Sequence, residues 1–170
     1  MSLERRWSVQ DSVELYHTRS WGAPYFGVNA RGNLTVMPRG KTGPDGEGEI
    51  DLKELVDDLC RRGIGAPILL RFNDILEAQV GDLSNAFVTS IREYGYKGAY
   101  RGVMPIKVNQ QRHVVEELVR AGQRYNLGLE AGSKAELLIA LALLDGNNGF
   151  LVLNGYKDSE YIETALHAQK

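Results

Sequence analysis

Three polar residues stand just past short apolar runs at nearly even intervals: Lys107, Glu130 and Asn154 lie 23 and 24 residues apart. Each run reads as a strand, and a helical stripe follows each one. An interval of that size fits one strand, one helix and two loops, so the pattern implies parallel strands joined by crossover helices. The intervals share no sequence similarity, which makes this a structural period and not a sequence repeat. In a (β/α)8 barrel the C-terminal ends of the strands form the active-site face, and polar residues in register there are what a barrel enzyme needs.

The individual elements follow from local pattern. Residues 99–106 form a strand candidate. Val114, Val115, Leu118 and Val119 mark a helix closed by Gly122, and residues 128–131 form the next strand. Ser133 with Glu136 makes a capping box ahead of an apolar helix over 137–144. Residues 150–153 form another strand, and Asp158 can cap a last helix running to about residue 168.

Upstream, Trp21, Tyr25, Phe26 and Val28 precede an Asn- and Gly-rich stretch, and Leu34, Thr35 and Val36 follow it. That predicts two short strands around a turn. Residues 38–48 are dense in Pro and Gly and predict an exposed loop. Leu52, Leu55, Val56, Leu59 and Cys60 form one helical stripe, with Asp51 at its cap, Glu54 three residues on and Gly63 at its end. Cys60 is expected to pack in that stripe as a small hydrophobe. Residues 68–70 read as a strand. Leu76, Val80, Leu83, Phe87 and Ile91 form a further helical stripe.

The expected fold class is therefore α/β: a partial (β/α)8 barrel preceded by a short β-hairpin region belonging to a second β-domain. Residues 1–50 would form the β-strand region and the Pro/Gly-rich loop, and residues 51–170 the first part of the barrel. At most four strand–helix units can be counted, whereas a complete barrel takes roughly 200 residues or more. This favours a piece of a longer protein, truncated at 170, over a small open sheet.

Composition narrows the functional classes. With 43% hydrophobic and 25% charged residues and a net charge of −2, the chain has no broad field to attract nucleic acid or a membrane. A single cysteine excludes an internal disulfide framework and fits a reducing compartment. No apolar core follows Arg5-Arg6, and no run approaches the ~20 apolar residues of a membrane span. A soluble, cytoplasmic protein is the expectation, and composition says nothing yet of its chemistry. His17, His113 and His167 show no spacing that suggests a metal triad.

Lys107 carries the sharpest chemistry. A lysine whose stem is packed at a strand end loses hydration of its ammonium, and a neutral amine can form a Schiff base with an aldehyde. From pattern alone, Lys107 is either such a lysine or a solvated charge. The run YRGVMPIKVNQQRHVVEELV around it resembles the cofactor-lysine segment of the biosynthetic arginine decarboxylases, pyridoxal-phosphate enzymes of the alanine-racemase-like barrel class. Met104 stands where that family has Tyr, which removes an aromatic contact beside the cofactor. LGLEAGSKAELLIAL (127–141), NGYKDSEYIETAL (154–166) and SWGAPYFGVNARGNLTV (20–36) resemble further segments of the family, in the same order and at the same spacing.

The resemblance implies that Lys107 holds pyridoxal phosphate as an internal aldimine, displaced by the substrate's amino group. It implies that Glu130 lies beside the cofactor and that Asn109 and Asn154 occupy polar positions near it. Ser133 reads as a helix cap, and Lys134 and Lys157 as structural or solvated charges. L-arginine would be converted to agmatine and CO2 on the way to putrescine and spermidine, by a homo-oligomer, with Mg2+ as a family-implied ion. The phosphate cradle and the acid that pairs with the ring nitrogen are not identifiable; in the family they come later in the chain. Two enzyme alternatives remain at this point, decarboxylation of ornithine or of diaminopimelate. So do a non-catalytic pyridoxal-phosphate carrier, which would not need the hairpin region, and a truncated product without activity.

Overall fold

The computed structural model describes residues 6–40, 48–144 and 148–168. The chain divides into two compact units, Met1–Ile75 and Leu76–Lys170.

In the first unit, α1 (Val9–Leu15) starts at a reciprocal cap. The Ser8 hydroxyl accepts from Asp11 N–H, and the Asp11 carboxylate accepts from Ser8 N–H. A short helix, α2 (Thr18–Gly22), follows. Strand β1 (Phe26–Val28) pairs antiparallel with β2 (Leu34–Val36), and β2 pairs with β3 (Ile50–Asp51). The turn between β1 and β2 is built by Asn29, whose Oδ1 accepts from Arg31 N–H and Asn33 N–H, while Gly32 takes a φ of 81°. Positive φ is what glycine adopts without steric cost. Residues 41–47 of the expected Pro/Gly-rich loop lie outside the described residues.

Helix α3 (Leu52–Arg61) begins where β3 ends, and Asp51 links the two. One carboxylate oxygen of Asp51 caps the helix by accepting from Lys53 N–H and Glu54 N–H at 3.0 and 3.1 Å. The other accepts from Asn29 Nδ2 and Asn33 Nδ2 at 2.8 Å and from Arg31 at 2.7 Å. A side chain on the helix cap thus holds the turn of the hairpin. Cys60 departs from expectation: it is exposed. The stripe it belongs to packs on β2 and β3 beside the start of α3, and eight residues of helix carry Cys60 about 12 Å along the axis from Leu52. Residues 68–70 also differ from expectation, because they form no strand. Leu69 is 73% exposed, and an extended run becomes a strand only when a neighbour takes up its backbone hydrogen bonds.

Helix α4 (Asn73–Glu93), which lies in the second unit from Leu76 onward, precedes a parallel sheet of order β4-β5-β6. Its members are β4 (Val103–Pro105), β5 (Gly128–Ala131) and β6 (Leu151–Leu153). The crossovers are α5 (Arg112–Gly122) and α6 (Lys134–Leu143), and α7 (Ser159–His167) follows β6. The strand expected over 99–106 is limited to Val103–Pro105. Pro105 has no N–H to extend a ladder, and the chain turns into a 3-10 segment at Ile106–Val108. On α4 the fully buried positions are Gly81 and Ser84, while the stripe members Leu83 and Phe87 stay exposed. A Cβ at Gly81 would stand 3.2 Å from the Tyr125 hydroxyl, so the small residues mark where the helix comes closest to its neighbours. The core is Ile106, Val115, Leu129 and Ala140, joined through Leu151 to a second cluster of Ala131, Leu137 and Tyr161. Among the described residues no helix is long and apolar enough to cross a membrane.

The Asp51 cluster sets an acid response. Hydrogen bonding by Asn33 is the largest cause of a carboxyl held at about 2, aided by Glu54 N–H, Asn29 and the Arg31 charge against the opposing effect of burial. A carboxyl depressed in the folded state lends stability above its ordinary value of 3.8, and that stability is lost as pH falls toward about 2. Thermal unfolding followed from pH 5 to pH 2 is expected to show a falling midpoint in that window. Asp51→Asn is expected to lower the midpoint at pH 5 and flatten the dependence. An equally steep acid dependence in the variant would count against this assignment.

Candidate active site

Parallel pairing places Pro105 opposite Glu130 and Glu130 opposite Val152. The C-terminal ends of three strands therefore lie side by side, and the residues just past them share one edge of the sheet. Glu130 belongs to β5, whose four residues are all buried. Its side chain is 12% exposed, and Lys107 Nζ stands 3.6 Å from its Oε1. That oxygen is buried and takes no hydrogen bond from the described residues. An acceptor in this state is costly unless a donor or cation completes it.

Lys107 sits in the 3-10 turn after β4. Ile106 takes the inward position and is fully buried against Val115, Leu129 and Ala140. The next residue of the turn must then face outward, and the Lys107 side chain is 62% exposed. The expected packing of its stem is not found: the turn that buries Ile106 leaves most of the Lys107 side chain exposed. What the structure does bring together is the amine and the Glu130 carboxylate.

Asn109 ends the turn. Its N–H donates to Ile106 O at 3.1 Å, and its Oδ1 accepts from Gln111 N–H at 3.0 Å, which launches α5. Its side-chain oxygen is thus used locally, in an Asx-type turn. Asn154 is held by its backbone. Its N–H donates to Ala131 O at 2.8 Å, and its carbonyl accepts from the Tyr161 hydroxyl at 3.3 Å. Gly155 follows with a φ of 77°, and a Cβ there would fall 2.0 Å from Gly132 O. That approach leaves room for glycine only.

Two residues here were not singled out as site residues by the sequence. Glu136 was read as half of a capping box. Ser133 Oγ does accept from Glu136 N–H at 3.2 Å, but the Glu136 carboxylate accepts from Gly132 N–H at 2.7 Å, one residue before the cap. It therefore braces the loop directly after Glu130. Tyr161 is fully buried, and its hydroxyl donates to Ala131 O at 2.9 Å. Burial, and then the charges of Glu136 and Glu130, push its phenol above the ordinary value of 10.0. The only sequence signal for it is an aromatic three residues into a helix capped by Asp158, whose carboxylate accepts from Tyr161 N–H.

Lys134 and Lys157 are structural. Lys134 pairs with Asp158 at 2.8 Å and with Glu160, and Lys157 Nζ donates to Gly155 O at 3.1 Å. The hydrogen bond from Lys134 is the main cause of a lowered Asp158 carboxyl, with Tyr161 N–H next. Among the described residues no group of three or more His, Cys, Asp or Glu could hold a metal ion. The pair at the strand ends fits an aldehyde cofactor with a cationic ring, since it offers a primary amine and a buried carboxylate oxygen that takes no hydrogen bond from the described residues.

Gly155→Ala is expected to destabilise the protein by about 1–3 kcal/mol, combining positive φ with the collision on Gly132 O. Urea unfolding measures this, and a change within ~0.5 kcal/mol, the range of an ordinary surface substitution, would contradict the close approach.

No protein-family model matches the chain. The biosynthetic arginine decarboxylase of Gloeobacter violaceus is 56% identical over 164 residues, covering 96% of this chain and 25% of that protein. The enzyme of the same name from a Nostoc species is 51% identical over 168 residues, covering 99% and 24%. The crystal structure of the biosynthetic arginine decarboxylase SpeA from Campylobacter jejuni matches with a TM-score of 0.78 at 35% identity, covering 90% of this chain and 24% of that one. The chain spans about a quarter of the length of the curated relatives it matches.

Proposed function

We propose that this chain, homologous over nearly its whole length to a quarter of the biosynthetic arginine decarboxylases, is the cofactor-lysine segment of such an enzyme. The whole protein would convert L-arginine to agmatine and CO2 at the head of polyamine synthesis, as a cytoplasmic homo-oligomer. Residues 1–50 would contribute to a second β-domain, and residues 51–170 would supply the first strands and helices of a (β/α)8 barrel.

One observation carries the reading: the Lys107 amine stands 3.6 Å from a buried carboxylate oxygen that takes no hydrogen bond from the described residues, at the C-terminal edge of a parallel sheet. Lys107 would bind the aldehyde of pyridoxal phosphate through Nζ. When bound, that cofactor supplies a conjugated ring that takes up the electron pair left at Cα as CO2 departs. Glu130 Oε1 is the acceptor beside Nζ, and as a carboxylate it would offer negative charge to a cationic ring. Asn109 fixes the turn on which Lys107 rides, and Asn154 lies at the neighbouring strand end. Both are read as cofactor-side positions.

In the complete protein, Lys107→Ala is expected to abolish the visible imine absorbance with pyridoxal phosphate, and borohydride is expected to trap the cofactor on Lys107 in the unaltered enzyme. Trapping on another lysine would sink the assignment. Carbon dioxide release from labelled arginine, with agmatine as co-product, tests the substrate. A preference for ornithine or diaminopimelate would favour one of those enzymes instead. Residues 1–170 expressed alone with cofactor are expected to release no CO2 from arginine above background, and turnover comparable to a complete decarboxylase would overturn the partial-barrel reading.

A further inference from the structure

We infer that Tyr161 is a positioning residue for the Lys107–Glu130 pair: its hydroxyl ties the last residue of β5 to the residue that follows β6, and thereby fixes where the Glu130 carboxylate stands. This rests on the reading of Lys107 and Glu130 given above.

The argument starts from Glu130. Its Oε1 has no hydrogen-bond donor among the described residues, so its position relative to Lys107 depends on the backbone of β5. That backbone is pinned immediately downstream. Ala131 O accepts from Asn154 N–H at 2.8 Å and from the Tyr161 hydroxyl at 2.9 Å. The same hydroxyl lies 3.3 Å from Asn154 O, so one phenol closes a triangle across two strand ends. Helix packing alone would be satisfied by Phe or Leu at this fully buried position. A buried hydroxyl is costly unless its hydrogen bonds are made, and here both partners are backbone carbonyls at the site's edge.

The surroundings keep the hydroxyl a donor. Burial, and then the charges of Glu136 of α6 and Glu130 of β5, oppose its ionisation. Lys134 of α6 is engaged with Asp158 and Glu160 at the start of α7. Glu136 adds a second brace through Gly132 N–H, but it acts one residue farther from Glu130 than Tyr161 does.

The test uses the complete protein, titrated with pyridoxal phosphate. Tyr161→Phe keeps the ring and removes only the hydroxyl. It is expected to weaken cofactor binding severalfold, with about tenfold, the full worth of one buried hydrogen bond, as the ceiling, and to move the pH at which the imine absorbance titrates. In a double-mutant cycle with Glu130→Gln, the two effects are expected to be less than additive, because Tyr161 acts through Glu130. Full additivity, or an unchanged pH profile with only a lower melting temperature, would make Tyr161 merely structural and overturn the inference.

If Tyr161→Phe does not fold, 3,5-difluorotyrosine at position 161 preserves the ring and the hydroxyl but brings its ionisation to a lower pH than that of tyrosine in the same surroundings. The imine absorbance is then expected to gain a pH transition that the unaltered protein lacks, and its absence would overturn the inference. Failure of the unaltered protein to form an imine, or trapping on a lysine other than Lys107, would instead bring down the function on which this rests.

Discussion

The parallel rung that sets Pro105 beside Glu130 and Glu130 beside Val152 decides most of what this chain can do. Backbone hydrogen bonds make that register, and the crossover helices α5 and α6 carry each strand back to the same edge of the sheet. A shift of one residue along β5 would turn Glu130 to the opposite face and replace it with an apolar neighbour. The rung also stops where it does for a chemical reason. Proline at 105 cannot donate to a further rung, so the chain turns, Ile106 drops into the core and Lys107 is left at the rim.

Behind the rim lies a second layer that makes the edge rigid. Gly155 presses on Gly132, Glu136 holds Gly132 N–H, and Tyr161 and Asn154 converge on Ala131 O. All of these contacts fall within a few residues of Glu130. Isolated, each is an ordinary loop contact worth on the order of 1 kcal/mol. Together they leave the strand end little freedom, which is what a site needs if its groups are to be in place before a ligand arrives.

The first unit shows the same logic applied to charge. Asp51 caps α3 with one oxygen and gathers Asn29, Asn33 and Arg31 with the other. One carboxylate thus joins a hairpin turn to a helix start. Groups that would each be weak on the surface gain from meeting on an acceptor whose side chain is only 7% exposed.

Much of this was legible in the residues themselves. Helical stripes, the Asp51, Ser133 and Asp158 caps, and the order of strand and helix in the second unit follow from local periodicity and capping chemistry, which act within a few residues. The lysine segment and its neighbours also carried the likeness to the arginine decarboxylases, because the likeness is written in contiguous runs such as PIKVNQ and EAGSKAEL. Tertiary structure decided the rest. Residues 68–70 have the composition of a strand but no partner ladder, and Cys60 belongs to an apolar stripe whose far end is left uncovered. The outward turn of Lys107, its approach to Glu130, the reach of Glu136 to Gly132 and the bond from Tyr161 to Ala131 all depend on contacts between separate elements. Pattern within one element reports which face is apolar. It says nothing of which backbone carbonyl, 30 residues away, a buried hydroxyl will meet.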